Sequence, residues 1–258
     1  MSAASKAAAP PATPARADYG LDAPRRIRQM ATRGALLILL GFGIWFMNRT
    51  SAPGPGAALF AVFGVMGLGY LAAAGVMIWS SRAGKVAVRD RILDSIPWRG
   101  DEKVLDVGCG RGLFLIGAAQ RISKPAKATG VDIWDAHELT GNSADAVMAN
   151  ARAEGVSDRV KVETGDAKKL PYSASTFDVV TSSLVFHQMR DETERDKAVR
   201  ELWRVLKPGG HVAVFDVAYT DEYRKVLEKE GAELVKQSGF SMLWMVPTTR
   251  WFIMRKPA

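Results

Sequence analysis

Cysteine occurs once in these 258 residues, at Cys109, and histidine three times, at His137, His187 and His211. One thiol forms no internal disulfide, and so thin a set offers no Cys/His cluster for a metal. Acidic residues are scarce at one end of the chain. The first hundred residues hold four, against twelve Lys and Arg, whereas the remainder carries 23 of each sign. The net charge of +8 therefore belongs wholly to the N-terminal part. A nucleic-acid groove would need that excess on the folded domain; a basic excess flanking apolar segments fits a membrane surface instead. No nucleic-acid partner is expected. Charge is missing altogether between Arg49 and Arg82.

That uncharged interval holds the second of two apolar stretches. Residues 1–24 are rich in Ala and Pro, contain little that packs, and are expected to be a disordered tail. The first apolar stretch, Gly34 to Met47, follows Arg25, Arg26, Arg28 and Arg33. Its fourteen residues cover only about 21 Å as a helix, so it spans a bilayer, over about 31–48, only if flanking residues join it, Arg33 snorkels or the bilayer thins locally. The second runs from Ala57 to Ser81, and its 25 residues exceed the ~20 that cross the hydrocarbon core. Thr50 to Gly56, with two prolines and two glycines, reads as a turn between them. A transmembrane hairpin within 25–82 follows, with spans at about 31–48 and 57–81. Basic residues lie on both outer flanks (Arg82, Lys85, Arg89 and Arg91 on the far one), and only Arg49 lies in the turn. Positive residues favour the cytoplasmic side, so both ends are expected inside and the turn outside. The expectation is a multi-pass protein, by default of a bacterial inner membrane, with residues 83–258 as a cytoplasmic domain.

The richest nine residues of that domain are Val104 to Gly112, VLDVGCGRG. A short aliphatic strand ends in glycines at 108, 110 and 112, and an apolar helix follows from Leu113. Glycine lets the backbone turn tightly and approach a ligand closely, and the helix points its free N–H groups at the same spot. Asp106, at the strand end, repels phosphate and suits a cation or an amine. The spacing is G-x-G-x-G rather than the G-x-G-x-x-G of dinucleotide sites.

These residues resemble motif I of the class I S-adenosylmethionine (SAM)-dependent methyltransferases, nearest in character to the ubiquinone and menaquinone biosynthesis group. The rest of the chain follows the family in order over about residues 83–258. Thr129-Gly130-Val131-Asp132 reads as the second strand, ending in an acid 26 residues after Asp106. Gly165-Asp166-Ala167 follows the third strand, Phe177 to Val180 is the fourth, and Leu206 to Gly210 is the turn before the fifth. The resemblance implies an α/β fold: a Rossmann-like, doubly wound, seven-stranded sheet with one late strand antiparallel, placed after the helical transmembrane hairpin. A helix at 83–96 is expected to connect membrane to domain and to cover the cofactor cleft. SAM is the implied cofactor and S-adenosylhomocysteine its product. Asp106 would hold the amino end of the methionine moiety through water or backbone groups, and Gly108, Gly110 and Gly112 would let the main chain pass close to it. Asp132 would accept from the ribose hydroxyls, and Asp166 and Ala167 would lie at the adenine. Ile133 and Trp134 would wall the adenine, although Trp134 reads equally well as a sheet-edge aromatic. Ser182, at the end of the fourth strand, completes the rim.

The acceptor is less legible. The segment after the fourth strand, Thr181 to Met189, lacks the Asn/Asp-Pro-Pro-aromatic tetrapeptide of family members that methylate adenine or glutamine amino groups. His187 is the histidine nearest the expected transfer site: a general base for a hydroxyl acceptor, or a structural residue of the linker. The apolar run from Phe240 to Met245 reads as strand core or as part of the acceptor cleft. An anchored site suits a hydrophobic small molecule, lipid or quinone-like acceptor, and so implies a partner in the bilayer. A membrane-tethered protein methyltransferase and a non-catalytic SAM-binding scaffold are the competing readings.

Overall fold

A computed structural model describes residues 16–135, 141–238 and 249–258. Two long helices come first, α1 (Pro24–Asn48) and α2 (Pro53–Trp79), packed side by side as a hairpin. Each begins with proline in its first turn, where the missing N–H has no helical partner to lose. The turn is therefore shorter than the sequence suggested: Pro53 to Gly56 open α2 rather than link the helices. Gly34 and Gly67 set the closeness of packing, since a Cβ on either would lie 2.8 or 2.7 Å from the other's carbonyl oxygen. Near the turn, Phe42, Trp45 and Phe60 pack ring against ring.

The outer surfaces of this hairpin are apolar. Of the nineteen large apolar side chains exposed among the described residues, all but four lie on α1 and α2. Both helices are long and apolar enough to cross a membrane, by length and composition alone.

The second helix does not stop where the domain was expected to begin. It passes through a π-helical turn, Ser80–Gly84, directly into α3 (Lys85–Leu93). The expected boundary at 82/83 thus falls inside one continuous helix. Helicity ends at Leu93 rather than 96, and α3 lies along the helix that follows the glycine turn, where Gly117 leaves room for Arg89 and Leu93.

Seven strands follow: β1 (Val104–Val107), β2 (Ala128–Asp132), β3 (Val160–Thr164), β4 (Phe177–Ser183), β5 (Leu206–Asp216), β6 (Glu233–Gln237) and β7 (Arg250–Arg255). Their order is β3-β2-β1-β4-β5-β7-β6. Strands β1 to β5 pair in parallel, and β7 runs antiparallel to both its neighbours. The central strands are buried along their length, as strands covered on both faces must be. One face carries α3, α4 (Leu113–Ala119) and α5 (Ala144–Ala153), packed around Phe114, Leu115, Ile116 and Val147. The other carries α6 (Glu192–Val205) and α7 (Thr220–Lys229), whose Val199, Leu202, Tyr223 and Leu227 meet the sheet. Side chains at the N-cap start two of these helices: Ser143 Oγ accepts from the Ala146 N–H, and Asp191 from the Thr193 N–H. The segment expected as a turn before the fifth strand belongs to β5 itself, which opens at Leu206 opposite Phe177.

The expected disordered tail needs the largest correction. Residues 1–15 lie outside the described set, but residues 16–22 are docked on the globular domain. The Asp18 N–H donates to Asn150 Oδ1 at 2.9 Å, the Asp22 N–H donates to Ser81 Oγ at 3.0 Å, and Tyr19 packs against the core around α3 and α4. Long-range partners order a stretch whose own composition does not.

Candidate active site

In a doubly wound sheet, ligands collect beyond the carboxyl ends of the strands, and here β1, β2, β4 and β5 converge there. The β1–α4 connection turns through Gly108, Gly110 and Gly112 at φ of +68°, +54° and +88°. At Gly108 the need is double, because a Cβ would also collide with Val185 Cγ2. That contact seats the segment after β4 directly on the glycine turn.

Asp132, at the end of β2, lies beneath the turn. One carboxylate oxygen accepts from the Gly110 N–H at 2.8 Å; the other accepts from the Trp134 N–H at 2.7 Å and Asn142 Nδ2 at 3.2 Å. Ile133 stands out at 59% exposure. Trp134 is half-buried in a left-handed conformation, and its indole N–H donates to Thr164 Oγ1 at 2.8 Å, so its ring is fixed along the β2–β3 edge. Asp166 lies after β3, exposed, accepting from the Lys168 N–H at 2.8 Å within its own turn; Ala167 is buried against the sheet.

Two of the expected cofactor residues have buried side chains. Asp106 faces inward, where it acts on the turn through the backbone it fixes. It is 1% exposed, and its carboxylate accepts from Thr181 Oγ1 at 2.7 Å and the Leu115 N–H at 2.9 Å. It therefore ties β1, β4 and the first turn of α4 together, and it shapes the glycine turn from below. Burial pushes its carboxyl up to about 7, against the pull of those two donors. Ser182 is likewise turned in, its hydroxyl donating to the Val107 carbonyl at 3.0 Å within the β1–β4 ladder.

His187 occupies a single 3-10 turn, Phe186–Gln188, just past the Val185 contact. Its partner is Asp216, the last residue of β5, buried at 1% exposure and not singled out by the sequence. Asp216 accepts from the His187 and Val217 N–H groups at 3.1 and 2.7 Å. His187 Nδ1 lies 2.5 Å from Asp216 Oδ1, with the ring off the hydrogen-bonding direction. The segment that follows Asp216 lines a cleft of about 430 Å³, from Val217 to Glu222 with Arg250, to which neither member of the pair contributes. His137 and Phe240 to Met245 lie outside the described residues. His211 sits in β5 opposite Arg255, with its pKa lowered by burial and away from this rim. No group of three or more metal-ligating side chains occurs among the described residues.

Residues 105–214 match the family model described as a methyltransferase domain. Relatives include a sterol 4-C-methyltransferase of Caenorhabditis elegans, 37% identical over 47% of this chain and 33% of its own length. A 27-O-demethylrifamycin SV methyltransferase of Amycolatopsis mediterranei is 36% identical over 49% of this chain and 43% of its own. A ubiquinone/menaquinone biosynthesis C-methyltransferase of Idiomarina loihiensis is 33% identical over 44% and 42%. The chain thus spans less than half the length of these three. Among solved structures, the N-methyltransferase NodS of Bradyrhizobium japonicum superposes with a TM-score of 0.53 at 17% identity, covering 69% of this chain and 99% of that one. The [4+2]-cyclase SpnF superposes at 0.54 with 21% identity, covering 67% and 82%. A cyclase on the same fold shows that the sheet alone does not dictate the reaction. What the sheet order, the glycine turn and the family match establish together is that residues 105–214 form a methyltransferase domain of the class I, SAM-dependent type.

Proposed function

We propose that the chain is a membrane-anchored SAM-dependent methyltransferase acting on a hydrophobic small-molecule acceptor. One observation carries the membrane half of this reading: the apolar, outward-facing hairpin joins the methyltransferase domain through an unbroken helix. Exposed arginines at 25, 26, 28 and 82 gather at the domain end of the hairpin, where acidic headgroups of the cytoplasmic leaflet would meet them. The hairpin comprises about residues 25–82 and the domain 83–258, with the shared helix crossing the join. The named relatives act on a sterol, a quinone and a rifamycin, all largely apolar, which supports an acceptor that partitions into lipid.

The residues at the rim fit the cofactor. The turn combines a carboxylate beneath it, glycine main chain and a position where any Cβ would collide, a set that suits a cationic amino-acid end and a diol better than a pyrophosphate. Asp132 would take the ribose hydroxyls, exchanging the Gly110 and Trp134 N–H groups for them. Gly108, Gly110 and Gly112 would line the methionine end, with Asp106 holding the turn's shape beneath. Ile133, Trp134, Asp166 and Ala167 would flank the base. Bound there, the cofactor supplies an electrophilic methyl carbon on a sulfonium, and the protein's part is to orient the acceptor and exclude water.

For a hydroxyl acceptor, His187 Nε2 would take the proton as the oxygen bonds to the methyl carbon and the carbon–sulfur bond breaks. Asp216 would hold the ring through Nδ1 and stabilise the imidazolium, once a small ring rotation aligns the two atoms. The test is titration of SAM into the purified full-length protein, then transfer of labelled methyl to fractionated host membranes. Label in the organic-extractable fraction supports the proposal. Label in protein alone replaces it with the protein-methyltransferase reading, and binding without transfer favours a scaffold. No SAM binding would overturn the cofactor assignment.

A further inference from the structure

Residues 16–22 touch both the base of the hairpin and the glycine turn. At one end stands Lys85, 2% exposed on the helix that continues α2. Its ammonium donates to the Tyr19 carbonyl at 3.0 Å, the Gly20 carbonyl at 2.8 Å and Asp22 Oδ1 at 3.3 Å. An ammonium has three donors, and all three end on this segment. Ser81, one turn earlier, accepts from the Asp22 N–H, and Arg89, one turn later, lies 5.9 Å from the Tyr19 ring centre. At the other end, Asn150 of α5 forms a two-bond pair with the Asp18 backbone. Its second Nδ2 hydrogen reaches the Arg111 carbonyl at 2.9 Å. The Asp18 carboxylate meets the Arg111 guanidinium at 2.9 Å. Arg111 stands between Gly110 and Gly112, and its guanidinium lies against Gly141, next to the Asn142 that donates to Asp132.

We infer that residues 16–22 are a strap that fixes the glycine turn for cofactor binding and transmits the seating of the hairpin to it. Lys85 and Asn150 are its positioning residues. The inference deepens the function proposed above and rests on reading the glycine turn as the SAM site. Its physical basis is the cost of breaking either end. Lifting the strap would leave a buried ammonium without acceptors, so the strap follows the helix that bears Lys85. That helix is the continuation of a hairpin span, so a shift of the hairpin against the domain pulls on Asp18. Asp18 and Asn150 together hold the main chain at Arg111, one residue from the Gly110 N–H that meets Asp132. A segment serving only to cover the core would need neither the Arg111 pair nor the Lys85 cage.

The test uses the full-length protein in lipid nanodiscs, with amide hydrogen exchange followed at 16–22 and at 108–112, and with SAM affinity measured by titration. Lys85→Met is the decisive variant, because the lysine's hydrogen bonds all go to the strap and none to the turn. It is expected to speed exchange at 108–112 as well as at 16–22 and to raise the SAM Kd about tenfold, with Asn150→Ala behaving alike. Asp18→Ala serves where those buried substitutions unfold the protein; its carboxylate is 72% exposed, and loss of the Arg111 pair together with the bond it accepts from the Gly20 N–H should raise Kd by about two- to fivefold. Faster exchange confined to 16–22, with Kd within about twofold of wild type, would overturn the strap. Wild-type protein that binds no SAM would sink the cofactor reading instead, and exchange at 108–112 would still decide the strap.

Discussion

At the scale of single residues, the acids of the site divide by where they point. Asp106 ties β1, β4 and α4 together, whereas Asp132 braces the glycine turn through the Gly110 N–H, although both lie near the carboxyl end of a parallel strand. Asp106 gives a pH signature. Its folded pKa of about 7 stands above the ordinary carboxylate value near 3.8, so between those values the folded chain keeps a proton that the unfolded chain has lost. The stability from this group is full below about pH 4 and is lost as pH rises through about 7. Denaturant unfolding from pH 4.5 to 7.5 should therefore show wild type losing up to about 1.4 kcal/mol per pH unit relative to Asp106→Asn. Parallel pH profiles would count against that assignment. At His187, replacement by Gln should lower kcat by about 10²–10⁴-fold if it is the general base, with SAM affinity unchanged, as steady-state rates and titration would show. An unchanged kcat would leave His187 a linker residue. The glycines, Asp132 and His187 were legible because chain order alone brings them to one rim. Thr181 and Asp216 were not. Each pairs with a residue far off in sequence (Thr181 with Asp106, Asp216 with His187), and an acid or a threonine at a strand end has no distinctive pattern of its own.

Elements were legible in proportion to how far local pattern decides them. Buried strands such as VLDV and the i, i+3, i+4 burial of Ala198, Val199, Leu202 and Trp203 on α6 carry their own signal. The docked segment at 16–22 carried none, because its order comes from Lys85 and Asn150, residues that look like helix-surface side chains in sequence. The extent of α1 was also hidden, since its first turns hold four arginines that a hydropathy reading excludes. Within the hairpin, glycines at similar spacing do different work. Gly67 faces α1 in close contact, whereas Gly69 has no atom within 4 Å of the place its Cβ would take. Gly67→Ala should lower the thermal midpoint in detergent and loosen the helix pair, while Gly69→Ala should leave it unchanged or slightly raised. Equal effects at the two positions would contradict this packing.

For the whole molecule, the arrangement is a two-helix base carrying an α/β domain on a shared helix. Both hairpin ends lie on the side of the domain, so the short turn must face away from it. A Ser51→Cys variant tests this cleanly, because the native Cys109 is buried. In sealed cells the thiol introduced in the turn should react with a membrane-impermeant maleimide from outside. A Lys236→Cys variant, at an exposed position of the domain, should react only after lysis. Labelling of both from the same side would refute the topology.

The π-helical turn at Ser80–Gly84 bears on this architecture as well. A helix advances about 100° per residue, and a π turn accommodates an extra residue without breaking the rod. It thus works as a phase adjuster. It sets the rotational angle between the outward apolar face of the hairpin helix and the face that grips α4. For the membrane-anchored enzyme proposed above, the azimuth of the active-site mouth relative to the bilayer plane would be written into five residues of helix geometry rather than into any loop.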